Sequence, residues 1–415
     1  MDGDARSRWP AAALATLVAA EAGARVLRPR PAEAPEPAPV SARSYFTAAE
    51  IERARAHRRP QPALAAAQAL AQAGLLAALA RRRVRARSAP SERRAPARPL
   101  RDALAGARLA ATLGAVALPF AALARRRALA VGLATQSWRG WAADAVKAQA
   151  IESVMAAAVA ALALAVVRRR PRDWWLLAGP GSVALGGALA TLGPVLLAPR
   201  FNRFSPLPEG DARDDVLALA GAAGVRVGEV FGVDASRRTV AANAYVTGLG
   251  PTKRVVLYDT LLEGFARDEV RIVVAHELSH VRHRDVWRSL AFSALVALPA
   301  ALTARELAAR FGARGAAAGA PGALPALALA AGLAGAPATL AAARLSRAVE
   351  RRADAEALRM TGAPGALVAF WRGLAVRNLA DPDPPGLPAR LLATHPPVVE
   401  RIGAALAYER AARDL

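Results

Sequence analysis

His276 and His280 stand four residues apart in Val273-Val274-Ala275-His276-Glu277-Leu278-Ser279-His280. On a helix that spacing puts both imidazoles on one face and leaves Glu277 beside them. Two histidines so placed can grip one Zn²⁺ per chain, which acidifies a water and polarises a carbonyl, while the glutamate takes the proton and returns it to a leaving amine. The chemistry implied is metal-assisted hydrolysis of a peptide bond. Val270, Val273, Val274, Leu278 and Val281 give the helix an apolar flank. A pair of exposed surface histidines would not need one, and buried His and Glu require partners such as a metal.

The chain holds five His and no Cys. Any metal site must therefore use imidazole and carboxylate, and disulfide or thiol chemistry is excluded. A catalytic zinc site wants a third protein ligand and leaves its fourth position to water. No H-x-x-G-x-x-H continuation follows His280, so a carboxylate is expected. Glu350, in Ser346-Arg347-Ala348-Val349-Glu350-Arg351-Arg352-Ala353-Asp354, is the best candidate. Asp354, one turn later, is placed to bond a ligand histidine from behind. The competing reading is a surface helix in which Glu350 merely pairs with its neighbouring arginines. His283 follows too closely to be needed as a ligand and is expected to be solvated or to lie behind the site. His57 sits in a basic run and receives no role.

The elements that must carry these residues are apolar to an unusual degree. Of 415 residues, 54% are hydrophobic but only 5% aromatic, and mean hydropathy is +0.21. That balance points to several membrane helices. Seven stretches approach the roughly 17–25 residues a bilayer demands: Trp9–Leu27, Pro62–Ala80, Leu104–Ala124, Ile151–Val167, Trp174–Ala198, Leu290–Ala304 and Leu324–Ala343. The formal net charge of +23 resides in short runs at the ends of these stretches, such as Arg81-Arg82-Arg83 and Arg168-Arg169-Arg170. Arginines there anchor helices at lipid headgroups, so membrane lipid is the expected partner of this charge and nucleic acid is not. Basic loops fall on both faces and do not orient the bundle. The expected location is a cell membrane, crossed several times, with the catalytic part on the cytoplasmic side.

Between the spans, residues 28–39 are Pro-rich and cannot form a regular helix, Ser44–Pro60 reads as a short amphipathic helix, and 81–101 reads as a mobile loop. Residues 199–286 change character. Asp211–Ala223 has helical spacing and ends at Gly224. Val225–Val233, Thr239–Thr247 and Arg254–Asp259 alternate like strands of a small antiparallel sheet, with a turn at Gly248-Leu249-Gly250. Asp268 is the expected cap of the helix through Arg284. Ser346–Leu415 reads as helices broken at Asp381–Pro388. The domain plan is a five-helix membrane region (1–198), the first part of a peptidase domain (199–286), two further spans (287–343) and the second part of the peptidase domain (344–415). The fold class is a multi-pass α-helical membrane protein of about seven spans with an α+β zincin-like domain.

Several motifs in order resemble the CAAX prenyl protease type 1 family of integral-membrane zinc metallopeptidases, relatives of the bacterial heat-shock membrane protease. They are Ser44-Tyr45-Phe46 through Glu50-Ile51, Thr135-Gln136-Ser137-Trp138, Phe201-Asn202-Arg203-Phe204, Asn243-Ala244-Tyr245, the His276–His280 core, Glu350 to Asp354, and Thr394-His395-Pro396-Pro397 with Arg401. The resemblance implies that Glu350 is the third zinc ligand, and that the zinc domain joins a ring of seven helices around an intramembrane chamber. It places His395 and Arg401 near the metal, where they could stabilise a tetrahedral oxyanion. Asn243 and Tyr245 lie on a strand ahead of the motif helix, an edge suited to pairing with an extended peptide or protein substrate. Both could instead be satisfied within the sheet, and His395 could be a simple turn residue. The Ala- and Arg-heavy usage suggests a GC-rich bacterium, to which peptide hydrolysis transfers better than prenyl-peptide cleavage. The alternatives are a quality-control protease for membrane proteins and a catalytically silent scaffold with structural zinc. Neither oligomeric state nor cleavage preference follows from the sequence.

Overall fold

The computed structural model describes residues 8–30, 35–86, 99–248 and 253–414. The membrane part contains α1 (Trp9–Val26), α2 (Ala48–Arg58), α3 (Pro60–Ala86), α4 (Pro99–Ala130), α5 (Trp138–Arg169) and α6 (Trp175–Leu196). Next come β1 (Phe204–Pro206), α7 (Asp211–Ala222), β2 (Glu229–Val233), β3 (Ala244–Thr247), β4 (Arg254–Tyr258), α8 (Asp259–Gly264) and α9 (Arg267–Arg282). The long helices α10 (Asp285–Arg310) and α11 (Leu324–Thr361) follow, then α12 (Pro364–Arg377), α13 (Leu387–Leu392) and α14 (Val398–Arg413).

Six helices among the described residues are long and apolar enough to cross a bilayer, those containing α3, α4, α5, α6, α10 and α11. Seven were expected. The missing one is Trp9–Leu27, which forms α1 but is not apolar enough to be counted. Near its end Glu21 accepts a hydrogen bond from Arg25 at 2.8 Å and pairs with Arg344. α1 packs along α10 and α11, with Gly23 against Phe292 and the buried Thr16 hydroxyl 2.8 Å from that of Thr303. The helices succeed one another in single file: α6 on α10, α10 on α11, α11 on α3, α3 on α4, α4 on α5. At most 33% of any hydrophobic window is buried in protein, as a one-layer wall requires. Arg81 to Ala86 continue α3 and are not loop. Arg, Val and Ala propagate a helix already nucleated at modest cost. Residues 87–98 of the expected mobile loop lie outside the described residues.

The sheet order is β1-β2-β4-β3, with β2 and β4 parallel and the outer pairs antiparallel. An all-antiparallel sheet was expected; the central pair differs because both of its faces are covered, as parallel strands generally demand. Val255, Val256 and Leu257 on β4 are each fully buried. Val255 and Leu257 join the main core with α7, α9, α12 and α14, and Val256 joins an aromatic cluster of Phe204, Phe231, Tyr245 and Tyr258. The flanking strands are shorter than their alternation suggested, and β1 carries too few residues to announce itself. Leu249 and Gly250 of the expected turn lie outside the described residues. Helix α9 begins one residue before Asp268, and Glu269 closes its first turn by accepting from the Ala266 N–H at 2.8 Å.

The Pro-rich stretch, of which residues 31–34 are not described, forms neither helix nor strand from 35 to 41. It is latched onto α14, where the Ala38 N–H donates to the Gly403 carbonyl at 3.0 Å. A Cβ on Gly403 would lie 2.1 Å from the Ala38 oxygen, so only glycine permits this approach.

Candidate metal centre and substrate cleft

Helix α9 delivers its two histidines side by side because its apolar face, Ile272, Val273, Ala275 and Leu278 among others, is locked in the main core. His276 Nε2 and His280 Nε2 lie 3.3 Å apart. From α11, Glu350 brings Oε2 to 3.3 Å from His276 Nε2 and Oε1 to 3.6 Å from His280 Nε2. Among the described residues these three are the one group whose ligand atoms converge, all within 4.8 Å of one another. Glu350 Oε2 is buried and has no hydrogen-bond partner. An orphaned carboxylate oxygen facing two imidazole nitrogens has the donor set and the unmet need of a zinc site. His283 caps the end of α9 and is not part of the group, and His57 bonds Gln61 far along the chain.

Each imidazole is held by its other nitrogen. His276 Nδ1 lies 3.0 Å from Asp354, and His280 Nδ1 lies 3.0 Å from Asp285. Asp354, 1% exposed, receives two 2.6 Å bonds from Arg401, one from Nε and one from Nη2. The Arg401 guanidinium also stacks 3.3 Å over the Trp371 ring, whose edge-on neighbour at 6.0 Å is His276. Burial alone would lower the His276 ring, but the Asp354 and Glu350 carboxylates override it and hold its pKa up to about 10. The negative field that favours a proton on this ring equally favours a divalent cation beside it. Glu277 turns toward the sheet, where the Val246 N–H donates to it; burial pushes its carboxyl up, against the pull of His276 and His280.

These groups open on a cavity of about 1270 Å³, lined also by Asn243, Tyr245, Arg347, Arg351 and His395. His395 is exposed into it, with Nδ1 2.9 Å from the Thr394 hydroxyl and Nε2 3.6 Å from Glu350. Packing against the wall lowers this ring's pKa, with Glu350 opposing and Arg401 assisting. β3 is the outer strand of the sheet, with Asn243 exposed just ahead of it and Tyr245 half-buried. Burial and the neighbouring Tyr258 push the Tyr245 phenol up to about 12, so it remains a hydrogen-bond donor.

The expected residues are thus brought around one cavity, while Asp285, Trp371 and Asn378 were not anticipated. Asn378, at the end of α12, grips the strand approach like a missing neighbour: its amide accepts from the Ala242 N–H and donates to the Ala242 carbonyl, each at 3.0 Å. A lone Asn after a helix is an ordinary cap in sequence and gives no hint of this. The resemblance motifs around Gln136 and Asn202 serve a joint: Asp144 on α5 accepts from Gln136 at 2.6 Å and Arg238 at 2.9 Å, and Arg238 also donates to Asn202.

The model of peptidase family M48 matches residues 206–409. The uncharacterized metalloprotease YhfN of Bacillus subtilis is 31% identical over 293 residues, 69% of this chain and 69% of that protein. CAAX prenyl protease 1 of Saccharomyces cerevisiae is 32% identical over 158 residues, 37% of this chain and 34% of the yeast protein. The chain therefore matches about a third of the yeast enzyme's length. The crystal structure of S. mikatae Ste24p shares the fold, with a TM-score of 0.72 over 96% of each chain at 21% identity.

Proposed function

This chain belongs to peptidase family M48 as an integral-membrane metalloprotease, and from that premise we propose that it is a zinc-dependent endopeptidase whose active site is the cavity over α9. His276, His280 and Glu350 hold the ion. Bound zinc would supply Lewis-acid polarisation of the scissile carbonyl and acidify the attacking water. Everything else falls to the chain's own side chains. Glu277, raised by burial and aimed into the cavity beside both imidazoles, takes the water's proton and passes it to the leaving amine. The substrate is a peptide or protein segment lying extended along the open edge of β3, with Asn243 and Tyr245 as its contacts. His395 meets the developing oxyanion: with the Thr394 hydroxyl donating to Nδ1, its proton sits on Nε2 and points into the cavity. Arg401, 3% exposed, bonds Asp354, stacks on Trp371 and brings Nη2 to 3.6 Å from Glu350 Oε2, so its part is to hold Asp354, and through it His276, in place and to balance the charge of Glu350.

The observation that carries the reading is the convergence of ligand atoms from His276, His280 and Glu350, with a buried Glu350 oxygen that no hydrogen bond satisfies. The test is metal analysis and peptide cleavage by the purified protein in detergent, beside Glu277→Gln. The expected result is about one zinc in both proteins and a loss of roughly 10²-fold or more in kcat for the variant, the scale of general-base catalysis. Full activity in Glu277→Gln, or an active wild type free of metal, would defeat it. A silent scaffold with structural zinc predicts no cleavage by either protein.

A further inference from the structure

The two imidazoles are anchored in parallel fashion, by carboxylates from two different helices. Asp354, behind His276, lies on α11 and is clamped by Arg401 from α14. Asp285, behind His280, is the first residue of the membrane helix α10. Its Oδ2 receives His280 Nδ1 at 3.0 Å and Arg352 Nη2 at 2.5 Å, and its Oδ1 receives Arg288 Nε at 3.2 Å. Asp285 is 9% exposed and Arg352 7%. A carboxylate withdrawn this far from water is costly unless its oxygens are filled, and these are filled by three groups from three turns of chain.

Backbone geometry makes the contact possible. Five residues along one continuous helix would carry Asp285 around to another face, away from His280. Between α9 and α10, however, Arg284 takes a left-handed conformation with φ 54°. Such a conformation is unfavourable for a non-glycine residue. That strained residue turns the start of α10 back onto the last turn of α9. Arg288 extends the connection by donating to the Leu27 carbonyl at 2.6 Å, just past the end of α1. Arg352 arrives from α11, two residues beyond Glu350.

We propose that Asp285 is a positioning residue for the metal site: it fixes the His280 ring with its Nδ1 proton donated backward and Nε2 bare toward Glu350, and so ties one ligand to membrane helices α10 and α11. The inference rests on the zinc reading above and adds to it a residue that never touches the substrate. Outer carboxylates of this kind typically govern ligand basicity and orientation.

The experiment compares zinc dissociation constants, by chelator competition on the full chain in detergent, for wild type, Asp285→Asn, Asp285→Ala and His276→Ala. Melting temperature of the chelated protein and kcat and KM at saturating zinc are measured alongside. Asp285→Ala is expected to weaken zinc binding roughly 10- to 100-fold. Saturating zinc should leave KM near wild type with kcat reduced. Asp285→Asn, which keeps an oxygen for the Nδ1 proton, should recover most of the affinity while remaining measurably weaker than wild type. If both variants melt lower yet bind zinc as tightly as wild type, Asp285 is merely structural and the inference is overturned. Should the alanine variant fail to fold, Asp285→Asn decides alone, unchanged affinity overturning the proposal. Undiminished zinc in His276→Ala would instead show that the metal is not held where the parent reading puts it.

Discussion

Replacing Gly403 with alanine tests whether the Pro-rich segment is a working part of the peptidase half. The new Cβ would sit 2.1 Å from the Ala38 oxygen and 3.2 Å from its carbonyl carbon. Carbon and oxygen normally approach no closer than roughly 3.3 Å, so the strap must move by more than an ångström. Both partners are main chain, and no flexible side chain can yield. The 3.0 Å bond from Ala38 to Gly403 is then lost, a net of about 1 kcal/mol. Overpacking adds about 1–3 kcal/mol, while alanine's better helix propensity returns about 1 kcal/mol. The net loss expected is about 1–3 kcal/mol, localised to residues 35–46 and the turn of α14 that bears Arg401. Hydrogen exchange followed by mass spectrometry reads this directly, as acceleration of roughly 5- to 150-fold at the amides of that segment. A lower melting temperature and weaker peptide cleavage should accompany it. Wild-type protection across 35–46 in Gly403→Ala would refute the latch.

Two further outcomes are expected. His395→Ala should lower kcat by about 10²–10³-fold with zinc content and KM little changed, the signature of a lost oxyanion donor; a change confined to KM would reassign it to ground-state binding. Asp215 on α7 is held below the usual aspartate range by Arg267, against the effect of burial, with Arg271 assisting. Its contribution is fully present above the unfolded value of about 3.9 and disappears as pH falls through the lower folded value. Asp215→Asn should therefore destabilise the protein near neutrality and flatten the acid limb of its melting-temperature profile; parallel profiles would refute the pairing.

How much was legible depended on how local the signal was. The motif on α9 could be read outright because its meaning lies in a four-residue spacing and an apolar flank. Glu350 was the best third-ligand candidate from the sequence, with pairing to its neighbouring arginines as the competing reading; the resemblance decided between them, since the approach of its carboxylate to the two histidines spans two membrane helices that no local pattern records. The resemblance placed Arg401 near the metal as an oxyanion donor, but it could not show the two hydrogen bonds to Asp354 and the stacking on Trp371 that occupy its guanidinium. Asp285 lay five residues from His280 in plain view, but its use depends on the left-handed Arg284, a conformation that sequence gives no reason to expect of an arginine. Strand direction followed burial on both faces of β4, which alternation in one strand cannot reveal.

The proposed metal-binding residues are dispersed along the chain, and their order bears on synthesis. During synthesis α9 emerges first, bearing two imidazoles and a base but no acid to complete the grip. Two bilayer-crossing helices must be made before Glu350 can join them, and the arginine that holds Asp354 behind His276 comes from α14, the last of the described helices. On the proposed reading a nascent chain lacks its third ligand until α11 has been made. On that reading a product cut short before Glu350 would be an inert resident of the bilayer rather than a stray protease.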